Sequence, residues 1–131
     1  EGLAFREAAL RRGPRAEDKG TALIRTGKKA VANGSVQAMI AADMAFHHFI
    51  YDLSGNPLIA AAMETHWTQS QRVMGEVLLQ DDKPRDIWSQ HQQLLDAVLA
   101  GDAVVAESMA RAHIVNAANF MIEQLAADKP S

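Results

Sequence analysis

"DMAFHHFIYDLSGNP" (residues 43–57) decides how the chain is read. Met, Ala and Phe make its first part an apolar helix. "SGNP" then ends that helix at Gly55 and starts another, with Asn56 as cap and Pro57 at the first helical position. Asp43, His47 and His48 interrupt the apolar pattern. An ionised carboxylate carried into a core without a partner costs several kcal/mol. Either Asp43 faces water, or something positive meets it inside.

Composition limits the answers. With 131 residues, 48% of them hydrophobic, the chain is long enough for one domain with a real core. Its net charge is −3 and no Lys/Arg run forms a phosphate-binding stripe, so no DNA-contacting element is expected in it. Aromatic residues are only 5%, low for a β-sandwich or a base-stacking surface. There are no cysteines, which removes disulfides and thiolate ligands and leaves His, Asp and Glu for any metal. No apolar run approaches the ~18–20 residues of a membrane span and no signal peptide opens the chain, so no membrane partner and a cytoplasmic location are expected. The chain begins at Glu1 rather than Met, and we read residues 1–131 as a single domain truncated at its amino end.

Gly and Pro divide the sequence into segments of roughly 2–12, 14–32, 35–53, 57–80, 84–100 and 102–127. "RRGPRAED" puts Pro14 at a helix start with acidic residues in the first turn, and "ANGS" stops a helix and caps the next with Ser35. "AGDA" closes a helix at Gly101 and caps the last one with Asp102. Within the segments the apolar spacing is helical, and no sustained period-two run points to a sheet. Short connections imply antiparallel neighbours. The expected fold is all-α, an antiparallel helical bundle of about six helices. The first segment is short enough to read as the end of a truncated helix.

Asp43 and His47 are four apart and share one helix face with Val36, Ile40 and Ile50. His91 falls among Ile87, Leu94 and Leu95, and His113 shares a stripe with Met109 and Phe120. Three helices thus each carry an imidazole or a carboxylate toward the interior. Singly, each histidine reads best as a satisfied core residue, and a lone D-x3-H arises readily by chance. Together, three imidazoles and a carboxylate suit a borderline divalent metal, whose charge makes Asp43 tolerable. His48 points about 100° away from His47 and reads as a surface or interface residue. His66 shares a stripe with Ile59 and Met63 and lines the same cavity, as a substitute ligand, a partner that orients one, or an effector contact. Trp67 and Trp88 read as packing or interface residues.

"DMAFHHFIYDLSGNP", "HQQLLDAVLAGD" and "MARAHIVNA" together resemble the ligand-binding carboxy-terminal (FCD) domain of FadR-subgroup, GntR-type bacterial transcription regulators. The shared pattern is D-x3-H before a "SGNP"-like turn, an H-x2-led segment, and a further His about 22 positions on. His91 and His113 are 22 apart. The resemblance covers nearly the whole chain and implies Asp43, His47, His91 and His113 as ligands of one divalent metal, zinc or nickel. It further implies a homodimer, a small organic acid as effector, and contact with DNA only through a winged helix-turn-helix domain that lies outside these residues.

Four protein ligands on a six-coordinate ion leave two positions, which a carboxylate with a second oxygen can chelate. Asn116, three after His113, and Arg72 in "QSQRVMG" are candidate contacts for the rest of the anion; a solvated face is the other reading of Arg72. Two other classes compete with an effector sensor: a small helical-bundle metalloenzyme and a purely structural dimerisation module. Di-metal bundle proteins need E-x-x-H pairs, which the sequence lacks, and no spare Glu or Asp lies on the inner stripes as a general base. No catalytic residues are therefore expected.

Overall fold

Each expected break among the described residues becomes a helix end; the one expected at 81–83 lies outside them. The computed structural model describes residues 2–65 and 87–127, and along the last helix it omits the side chains of residues 114, 116–118, 120–121, 124–125 and 127. Six helices occur among the described residues: α1 (Gly2–Arg11), α2 (Ala16–Asn33), α3 (Val36–Ser54), α4 (described over 57–65), α5 (Ile87–Leu99) and α6 (Ala103–Ala127). The described residues contain no strand, and the fold is an all-α bundle.

Local chemistry explains the boundaries. Ser35 caps α3 by accepting from the Ala38 amide at 3.2 Å, and Asp102 caps α6 by accepting from Val105 at 3.1 Å. At "SGNP", the buried Ser54 hydroxyl donates to the Tyr51 carbonyl at 2.5 Å and accepts from the Asn56 amide at 3.3 Å. Asn56 Oδ1 in turn accepts from Leu58, capping α4 as its position before Pro57 predicts. Gly101, at φ 75°, closes α5: its amide donates to Val98 and that of Asp102 donates to Ala97, an arrangement that requires the left-handed conformation. One boundary moves. Pro14 and Arg15 form a turn before α2, whose first helical residue is Ala16.

The first segment also does more than its length predicts. Ala4, Phe5, Ala8 and Ala9 of α1 are all buried, and the helix packs against α3, α5 and α6. Gly2 lies against Arg111, while Arg6 pairs with Glu107 at 3.5 Å, so α1 and α6 run antiparallel. Arg111 also donates to Glu107 at 2.8 Å and holds that carboxyl below the usual carboxylate range. The small side chains of α1 admit its neighbours closely, which compensates for its ten residues.

Helix α2 approaches α5 through two glycines one heptad apart. A Cβ at Gly20 would stand 2.6 Å from Leu95, and one at Gly27 would stand 2.0 Å from the Trp88 indole. As the α2 number rises by seven the α5 number falls by seven, so this pair is antiparallel too. The missing Cβ atoms let Trp88, 4% exposed, turn its ring inward against Phe46 and His91. Phe46, Ile50, Leu94, Leu95 and Val98 complete the core around them.

Gly27→Ala is therefore expected to destabilise the fold by about 1–3 kcal/mol through overpacking, despite the better helix propensity of alanine. Gly13→Ala, with nothing within 4 Å of the added methyl, should stay within about 0.5 kcal/mol of the parent. Urea unfolding of both variants checks the contrast, and equal midpoints would refute the close approach at Trp88.

Candidate metal centre

Asp43 does not face water. Its side chain is 14% exposed, and the same oxygen, Oδ1, meets His91 Nε2 at 2.6 Å and His47 Nε2 at 3.5 Å. The contact with His47 follows from helical spacing within α3. The contact with His91 crosses from α3 to α5 and is the shorter. Burial by itself pushes the Asp43 carboxyl up. The charge of His47, hydrogen bonds from His47 and His91 and the charge of His91 outweigh it, and the group is held well below the usual carboxylate range.

His113 joins from α6. Ring nitrogens of His47, His91 and His113 lie within 4.8 Å of one another, two of the three residues being buried and His113 half-buried. The rings of His91 and His113 meet edge to face, with centroids 5.0 Å apart. The structure thus gathers all four residues that the sequence singles out into one cluster drawn from α3, α5 and α6.

Aromatic residues fix two of the imidazoles. Phe46 stacks on His91 with centroids 4.6 Å apart and planes 10° from parallel, and Trp88 stands edge-on to the same ring at 4.8 Å. His47 meets Phe5, Phe46 and Tyr51. Packing of this kind costs a side chain its rotamer freedom during folding rather than during ligand binding.

The donor set fits a divalent ion of borderline softness. Zinc–nitrogen and zinc–oxygen bonds of about 2.0–2.2 Å place neighbouring donors roughly 3–3.5 Å apart. Oδ1 of Asp43 and Nε2 of His47 have that separation already. Opening the 2.6 Å hydrogen bond and closing the widest nitrogen spacing need shifts on the order of an ångström. Three neutral imidazoles and one carboxylate are compatible with a metal site of this class.

The other residues singled out from sequence divide differently. His48 is half-buried, beside Tyr51 at 5.6 Å and outside the cluster, as its angle on the helix predicts. Trp88 is a core residue. His66, Trp67 and Arg72 lie outside the described residues, as does the side chain of Asn116. Sequence reasoning missed Gln90, whose Oε1 lies 2.8 Å from His113 Nδ1. It also missed the aromatic platform of Phe46 and Phe5. Phe46 could have been found from its place one residue before His47, but nothing along the chain brings Gln90 near α6.

A protein-family model, the FCD domain, matches residues 1–116. The chain belongs to the FCD domain family. Comparison with curated proteins returned no match. FCD domains serve GntR-family transcription regulators, in which they are effector-sensing domains coupled to a DNA-binding domain, and such regulators are generally not enzymes. The described residues of this FCD domain form helices and the short turns that join them, and among them no helix is long and apolar enough to cross a membrane.

Removing the carboxylate should expose its structural role. Asp43→Ala leaves the fully buried His91 without the acceptor of its Nε2 hydrogen bond, an expected loss of about 1–3 kcal/mol. Asp52→Ala, at an exposed position of the same helix, should change stability by less than about 0.5 kcal/mol. Urea denaturation in the presence of a chelator reads both. Equal, small effects would mean that Asp43 is not held as described.

Proposed function

We propose that this FCD domain senses a small organic carboxylate at one divalent metal ion, zinc or nickel, held by Asp43, His47, His91 and His113. The observation that carries the reading is the convergence of a half-buried carboxylate and three imidazoles from three separate helices. A bound ion supplies positive charge and open coordination positions to a carboxylate effector. The protein's own part is orientation: Phe46 and Trp88 hold the His91 ring, and Asp43 bridges α3 and α5.

The same distribution gives a route for a signal. The donors lie on α3, α5 and α6, so any adjustment at the site acts on helices that also pack against α1. In a homodimeric regulator, movements of about an ångström between packed helices bias how the subunits hold a DNA-binding domain located outside these residues. The effector must bind one arrangement better than the other, since equal affinity shifts nothing. Asn116, three residues beyond His113, and Arg72 and His66, which lie outside the described residues, are the residues we assign to the remainder of the anion. In this reading the effector is bound and released unchanged, without turnover, in the cytoplasm.

Metal analysis of the purified chain, with thermal unfolding before and after chelation, tests the centre. Metal at a hundredfold excess over its dissociation constant adds about 2.7 kcal/mol. For a domain of this size that corresponds to a rise in Tm on the order of 10 °C. His91→Ala and His113→Ala should each lose most of that increment, and His48→Ala should keep it. Similar losses from all three would show the assignment to be wrong.

The effector is sought with hydroxy acids, dicarboxylates and sugar acids, by calorimetry on metal-loaded and metal-stripped protein. At least one acid is expected to bind the loaded form, to lose most of its affinity on stripping, and to be recovered intact after long incubation. Steady conversion would identify an enzyme instead, and equal affinity in both forms would remove the metal from recognition.

A further inference from the structure

The hydrogen bond between Gln90 and His113 spans 23 residues and ties α5 to α6 directly beside the cluster. Resting on the metal-centre reading above, we propose that Gln90 is a positioning residue of that centre, fixing the tautomer and ring direction of His113. An amide oxygen can only accept, so the 2.8 Å contact places the proton on His113 Nδ1. A neutral imidazole carries one N–H, so its lone pair then resides on Nε2, the nitrogen that would bind a metal. Histidine ligands gain basicity and a fixed orientation when their other nitrogen donates to an outer acceptor.

His113 has particular use for such a partner. His91 is fully buried against Phe46 and Trp88, and His47 meets Phe5, Phe46 and Tyr51. His113 is only half-buried, so a directional bond takes over part of what close packing does for the other two. Gln90 is also the chain neighbour of His91. Helix α5 thereby supplies one donor itself and orients the donor of α6, so the two move together. The neutral amide does this without a second negative charge beside Asp43.

The test uses the purified 131-residue chain with zinc alone as the probe, its affinity measured by competition with a chromogenic chelator. In parallel, long-range nitrogen–proton NMR of the metal-free protein reads the imidazole tautomers. Gln90→Met is expected to weaken zinc binding about 10- to 100-fold and to shift His113 from the Nδ1–H form toward a mixture. Gln90→Glu, which keeps an acceptor, should recover most of the affinity and the Nδ1–H signature. Should the methionine variant fail to fold, Gln90→Ala is read in its place. Unchanged zinc affinity, an unchanged His113 signature, or a glutamate variant as weak as the methionine one would each overturn the role of Gln90. Failure of the parent chain itself to take up zinc would remove the metal-centre reading, and the Gln90 proposal with it.

Discussion

A carboxylate held at 14% exposure inside a helical bundle must be compensated where it sits. Asp43 meets this constraint through His91 of α5 and His47 of its own helix. The Asp43–His91 contact reaches from α3 to α5, two helices that pack on α1 and α2 in common, and holds them in one register. That register brings the rest of α5 into place, with Leu94, Leu95 and Val98 in the core and Gln90 turned toward α6. A bundle of purely apolar faces tolerates many sliding arrangements of similar energy, whereas a directional polar contact selects one.

The constraint reaches beyond the donors through the residues that shape their surroundings. Gly27 admits the Trp88 indole, Trp88 stands edge-on to His91, and Phe46 stacks on a face of the same ring and also meets Trp88. A glycine on α2, remote from the donors in sequence, thus sets the space available to an imidazole on α5. On the other side, Phe5 of α1 meets both Phe46 and His47. Five helices of this FCD domain therefore touch the site directly or through one intervening ring, a connectivity that suits a domain whose task is to respond to an effector.

A rigid aromatic setting and a movable donor set are complementary. The rings fix His91 and His47 before any ligand arrives, so little ordering remains to oppose binding. The hydrogen bonds among Asp43, His91, His113 and Gln90 can be exchanged or lengthened by shifts on the order of an ångström within that aromatic setting. In the sensing role proposed for the domain, such small adjustments distributed over three helices are the quantity that a dimer would amplify.

The sequence by itself determined the helical fold, most of the helix boundaries and the four residues of the cluster. Caps at Ser35, Asn56 and Asp102, stops at Gly34, Gly55 and Gly101, and the 3.6-residue spacing of apolar side chains all act over a few residues, so they are legible along the chain. Asp43 and His47 were joined by the same local rule, four residues being one helical turn. The tertiary structure alone decided that the short α1 is a full member of the core, that Gly20 and Gly27 are close-approach positions, and that Gln90 faces His113. It also chose His91, on a different helix, as the nearer partner of Asp43. These are contacts between helices, set by crossing geometry and side-chain volume across dozens of residues of separation. No periodicity along the chain encodes which faces of two helices will meet.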